Sequence, residues 1–151
     1  MEIGKEINQG KFKSEWQKVN LNILFTSYWI QNQVKEILKD YDLTNQQFNV
    51  LRILRGAYPN PLSNTIIRNR MLDKMSDVSR ILVRLQEKEL IIKQDNGKDR
   101  RASDITISPK GLKLLESIDV KETELEGISK NLSEEEARLL NNLCDKLRDK
   151  K

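Results

Sequence analysis

Apolar side chains recur early in the chain at Trp16, Val19, Ile23, Ile30, Val34 and Ile37. The spacing is close to the 3.6-residue period of a helix running from about Ser14 to Lys39. Leu24, Phe25, Tyr28 and Trp29 widen that stripe beyond one face. A helix of this span is about 39 Å long, against a radius of gyration of about 15 Å for a folded chain of this size. Part of the helix must overhang its own domain, which predicts cover from a second subunit.

Thr44-Asn45-Gln46-Gln47 fits a capping box, in which the threonine hydroxyl accepts from a first-turn amide while the glutamine reaches back. Phe48, Leu51 and Leu54 continue one face until Gly56 and Pro59-Asn60-Pro61 end it. Leu62-Ser63-Asn64 opens a short helix with Ile66, Ile67 and Met71 pointing inward. Asp73 is the expected N-cap of the next helix, from Lys74 to about Glu89. Its inner face is Val78, Ile81, Leu82 and Leu85; its outer face is Ser76, Asp77, Ser79, Arg80, Val83 and Arg84.

The pattern then changes. Ile91-Ile92-Lys93-Gln94 and Ser103 to Ile107 are rich in β-branched residues, and the second alternates, which predicts a two-stranded hairpin. Its tip, Asp95 to Arg101, contains Asn96-Gly97, a tight-turn signal because both residues tolerate positive φ. Ser108-Pro109 starts a further helix, with proline at a favoured first-turn position, through Leu112, Leu115 and Ile118 to about Ile128. Leu132-Ser133-Glu134-Glu135-Glu136 is a second capping box, leading a last helix with Leu139, Leu140, Leu143, Cys144 and Leu147 on its apolar side. A short helix, a groove-sized helix and an arginine-tipped hairpin in succession form the layout of a winged helix-turn-helix. The fold class expected is mainly α with a small β-hairpin wing.

Composition narrows the chemistry. The chain has 151 residues, no histidine and one cysteine, Cys144. No intrachain disulfide, no Cys/His metal site within the chain and no Ser-His or Cys-His catalysis is available. Carboxylates such as Glu116 and Glu122 read as a solvated helix face, so neither an enzyme nor a cofactor is expected. Cys144 lies beside Leu140 and Leu147 and reads as packing rather than a redox switch. With no long apolar run and no signal-peptide core, the expectation is a cytoplasmic protein without membrane contact.

The formal net charge of +4 is unevenly spread. Residues 1–61 carry 8 Lys and Arg against 6 Asp and Glu, residues 62–101 carry 10 against 6, and residues 102–151 carry 9 against 11. The basic excess falls on the segment expected to meet phosphates. Within it, Ser76 and Ser79 are short donors, and Arg80 and Arg84 share one helix face. Arginine pairs bidentately with guanine or clamps a phosphate. Lys98, Arg100 and Arg101 near the hairpin tip suit the negative potential of a narrow minor groove, and Asp99 would orient a neighbouring arginine. Alone, the helix reads as an ordinary solvated face; with the preceding helix and the wing beside it, double-stranded DNA is the expected partner. The rival expectation is a winged-helix protein-interaction module.

Asp99-Arg100-Arg101 followed by Ile107-Ser108-Pro109-Lys110-Gly111 resembles the wing signature of the multiple antibiotic resistance regulator (MarR) family. That signature is Asp, any residue, Arg, then a strand ending Leu-Thr, two residues and Gly. Ser76-Asp77-Val78-Ser79-Arg80 resembles the opening of the family's recognition helix. The resemblance covers most of the chain and implies a homodimeric transcription regulator with a triangular, mostly helical fold. It implies one domain over 1–151, with a DNA-binding core at about 42–107 and dimerisation helices at about 10–40 and 108–151. By position, Arg101 would enter the minor groove, and Ser76, Ser79, Arg80 and Arg84 the major groove. Members often bind small aromatic acids between the dimerisation helices and the core. Trp16, Tyr28, Trp29, Tyr41 and Arg52 are the candidates for such an aromatic or phenolic effector, although Trp16 and Trp29 read first as core or interface aromatics. Two departures stand out: Glu89 replaces the glycine that usually ends the recognition helix, implying a differently shaped end, and Asp77 puts a negative charge near the DNA.

Overall fold

A computed structural model describes residues 2–95 and 103–149. A one-turn helix α1 (Ile3–Glu6) precedes the long helix α2 (Glu15–Leu38), whose N-cap Ser14 accepts a hydrogen bond from the Gln17 amide. At 24 residues, α2 is about 36 Å long. A 3-10 turn (Lys39–Tyr41) leads into α3 (Asn45–Ala57), whose Thr44–Gln47 capping box forms as the sequence predicts. Then follow α4 (Asn64–Arg70), α5 (Val78–Glu87), β1 (Ile91–Asp95), β2 (Ser103–Ile107), α6 (Pro109–Asp119), α7 (Glu122–Gly127) and α8 (Glu134–Arg148).

The two strands pair antiparallel, with Ile91 opposite Ile107, Lys93 opposite Ile105 and Asp95 opposite Ser103. Leu62 bridges the other side of β2 through two backbone bonds with Ile105, so the loop before α4 is stitched to the hairpin. The hydrophobic core runs from Leu38 to Ile118 and includes Val50, Leu51 and Leu54 of α3, Ile67, Met71, Val78 and Leu85, and Ile105 and Ile107 of β2. Helix α8 contributes no buried residue. Its Leu139, Leu140, Leu143 and Leu147 are exposed, as are Trp16, Leu24, Tyr28 and Trp29 on α2. The apolar stripes of the two terminal helices therefore lack cover within one chain.

Four local expectations need correction. Helix α5 starts at Val78, not Lys74, and its N-cap is Asp77, which accepts from the Arg80 amide at 3.1 Å. Asp73 is instead engaged in a local turn, accepting from the Met75 amide and the Ser76 hydroxyl, each at 2.9 Å. The helix opened by Ser108 stops at Asp119 rather than Ile128. Around its end, Arg55 pairs with Asp119 at 2.6 Å, Lys121 with Asp40 at 3.3 Å, and Tyr41 Oη donates to the Ser117 carbonyl at 3.1 Å. Ile66 is 41% exposed, while Ile67 and Met71 fill the core. Helix α1 has no counterpart in the periodicity; only Ile3 of that turn is buried.

Candidate nucleic-acid interface

Helix α5 buries Val78, Leu82 and Leu85, which turns Ser79, Arg80 and Arg84 outward to solvent. Ser76 is half-buried at the foot of the helix. Asn64 Nδ2, at the start of α4, donates to Ser79 Oγ at 3.0 Å, leaving the serine proton free for an external acceptor. Arg84 Nη1 is held by Glu87 at 2.9 Å. Between the N-terminus of α3 and this face lies an open groove of about 280 Å³, lined among others by Thr44, Gln46, Ser76, Asp77, Arg80 and Arg84. Hydroxyls, side-chain amides, two guanidinium groups and the carboxylates of Asp73 and Asp77 thus share one concave surface. Such a set can take up phosphate oxygens and base edges.

The wing residues Lys98, Asp99, Arg100 and Arg101, and the expected Asn96-Gly97 turn, lie outside the described residues. The base of the wing joins the end of α5 to the start of α6. Leu90 N–H donates to the Leu85 carbonyl and Glu89 N–H to that of Gln86, both at 2.9 Å, the pair of bonds of a Schellman motif. Glu89 supplies its left-handed residue at φ 60°, a conformation glycine adopts at less cost. The implied differently shaped helix end does not arise: the glycine-type cap forms with glutamate in it. Lys110 Nζ meets the Glu89 carboxylate at 2.8 Å, and that hydrogen bond with its charge holds the carboxyl below its ordinary value. Ser108 Oγ donates to the Glu89 carbonyl at 2.7 Å and caps α6 by accepting from Gly111 N–H. A Cβ built on Gly111 would stand 2.3 Å from the Leu90 carbonyl oxygen, which explains the glycine at the end of the wing signature.

The five candidate effector residues do not converge. A crevice of about 370 Å³ between α2 and α7 is lined by Trp29 with Gln33, Ile37, Glu124, Ile128 and Asn131 among others. Trp16 is 78% exposed near the start of α2 and Tyr28 is exposed as well, while Tyr41 is engaged with Ser117. Arg52 lies over the Phe48 ring, 5.6 Å from its centroid. Cys144 is half-buried on α8. Sequence reasoning missed Asn64, because its contact with Ser79 joins two helices and carries no local signal.

A short helix, a turn and an exposed second helix set beside an antiparallel hairpin define a winged helix-turn-helix protein. The particular version, with a long leading helix and trailing α-helices, is similar to that of solved MarR-family transcription regulators. A MarR transcription factor from Planctomyces limnophilus is 26% identical, covers 89% of this chain and 98% of its own, and superposes with a TM-score of 0.69. A MarR mutant from E. coli, complexed with operator DNA, is 21% identical over 93% of this chain and 100% of its own, with a TM-score of 0.81. The S. aureus MepR–DNA complex is 24% identical over 91% and 97%, with a TM-score of 0.77. No family sequence model matches the chain, and no curated protein does. Among the described residues no helix is long and apolar enough to cross a membrane.

Proposed function

We propose that this chain is a cytoplasmic, sequence-specific DNA-binding transcription regulator that acts as a homodimeric repressor on a pseudo-palindromic operator. The observation that carries the reading is the outward face of α5, where Ser79, Arg80 and Arg84 stand free of the core beside the groove at α3. Structural neighbours solved with DNA support it. Arg80 and Arg84, with Ser76 and Ser79, address the major groove. Lys98, Arg100 and Arg101 of the wing address the minor groove, and Asp99 orients them. The region 42–107 is the reading core. The uncovered stripes of α2 and α8, within 10–40 and 108–151, hold the second subunit. A small aromatic or phenolic effector entering the crevice at Trp29 would shift the pair of cores and release the operator.

Selection of bound duplexes from a random DNA pool tests the proposal. The expected product is a two-fold-related pair of half-sites about one helical turn, ~10 bp, apart. If the dimer makes about 6–10 phosphate contacts, raising salt from about 50 to 200 mM weakens binding ~10³- to 10⁵-fold. A monomer that enriches no duplex and holds another protein chain instead would overturn the reading in favour of an interaction module.

A further inference from the structure

Helices α4 and α5 are joined by a turn in which two large apolar side chains face solvent. Leu72 is 87% exposed and Met75 is 91% exposed. Neither belongs to the stripes of α2 and α8, and neither lies on the inner face of a helix. Their backbones are nevertheless pinned. Asn49 Oδ1 of α3 accepts from the Leu72 amide at 3.0 Å, and Asp73 Oδ1 accepts from the Met75 amide at 2.9 Å. Lys74 Nζ closes the turn onto the Asn69 carbonyl at 2.6 Å. Two hydrophobes are thus held out in water at fixed positions.

Their surroundings identify what they meet. Arg68, Arg70, Lys74 and Arg80, all exposed, outnumber the two carboxylates of the same stretch, Asp73 and Asp77, so the apolar pair sits in surroundings of net positive charge. An apolar protein surface would not be drawn to such surroundings; a polyanion is. On the base edges of a DNA major groove the thymine C5-methyl is the one apolar group. We infer that Leu72 and Met75 form a contact surface for thymine methyl groups, placed one turn before the arginines of α5, and so a specificity element separate from them. This rests on the DNA-binding reading above. Methionine suits the task, since its unbranched thioether adapts to methyl positions that differ between sites.

The test uses the full chain and duplexes selected from the random pool, resynthesised with deoxyuridine at one thymidine at a time. Deoxyuridine removes the methyl and keeps the hydrogen-bonding edge. The expected result is a small set of positions where the swap weakens binding about fourfold, the equivalent of about 0.8 kcal/mol for one buried methyl. Met75→Ser and Leu72→Ser should bind the thymidine and deoxyuridine duplexes alike at those positions, while Met75→Leu keeps the preference. Such non-additivity is the signature of direct contact. Equal binding of both duplexes by the unaltered chain overturns the inference and leaves DNA binding intact. The inference also fails if both serine variants retain the preference, or if they dissociate the dimer. Absence of salt-sensitive binding to any duplex sinks both readings together.

Discussion

Lys110, in the first turn of α6, holds the carboxylate of Glu89, the left-handed residue that closes α5, at 2.8 Å. The backbone there is costly for any residue with a Cβ, by about 1–2 kcal/mol in the left-handed helical region. Glu89→Gly should therefore raise the denaturant midpoint near neutral pH despite losing the ion pair, and Glu89→Val should lower it. The Lys110 hydrogen bond lowers the Glu89 pKa from 4.5. Its stabilising contribution is thus present above 4.5 and fades as pH falls through the lowered folded value. The advantage of the glycine variant should widen in acid. Unfolding curves taken at neutral pH and well below 4.5 decide this; a constant gap would remove Lys110 from the account.

Arg80→Ala and Arg84→Ala should each weaken binding of a selected duplex by about 1–3 kcal/mol if bidentate to a base, and less if they touch only phosphate. Arg84 must exchange Glu87, 2.9 Å away, for its DNA partner. Glu87→Gln should accordingly tighten binding modestly, as read by fluorescence anisotropy at fixed salt. A weaker complex would mean that Glu87 orients the arginine rather than competing for it.

Arg101→Ala is expected to weaken binding most on A·T-rich half-sites, where the minor groove is narrow and its potential enhanced. Dimerisation should be unchanged. Titration of A·T-rich and G·C-rich versions of one operator measures the difference; equal affinity for the parent and variant chains would take the wing out of the mechanism.

On α8, Leu143 and Leu147 are exposed together with Leu139 and Leu140. If α8 holds the proposed second subunit, Leu143→Asp with Leu147→Asp should leave a monomer in sedimentation velocity, because burying two carboxylates without partners is strongly unfavourable. Helix content should persist, since α8 buries nothing within its own chain. An unchanged dimer would place the interface elsewhere.

Features with local causes were readable in the sequence. The Thr44–Gln47 and Ser133–Glu136 capping boxes involve residues three apart, and both form. The strand alternation of β2 leads directly to buried Ile105 and Ile107. Where two side chains compete for one role, pattern fails: Asp73 and Asp77 are both good caps, and the turn that Asp73 makes with Met75 and Ser76 decides between them. Contacts between residues distant in the chain leave no trace at all. The end of α6 meets Arg55 and the residue beyond it, Lys121, meets Asp40, both on elements far upstream, and Ser79 is hydrogen-bonded by Asn64 of another helix. For the candidate interface, the residue types and the exposed face were legible, whereas the exposed pair Leu72 and Met75 lies in a turn, outside any periodic pattern.

At Gly111 the main chain passes so near the Leu90 carbonyl that even one methyl would collide with backbone, which cannot rotate away. Together with Ser108, which binds Leu90 through its amide and Glu89 through its hydroxyl, this makes a clasp at the root of the hairpin. The clasp ties the root of the hairpin to the scaffold. A root secured in this way leaves the sequence between the two strands open to insertion or exchange while the scaffold stands.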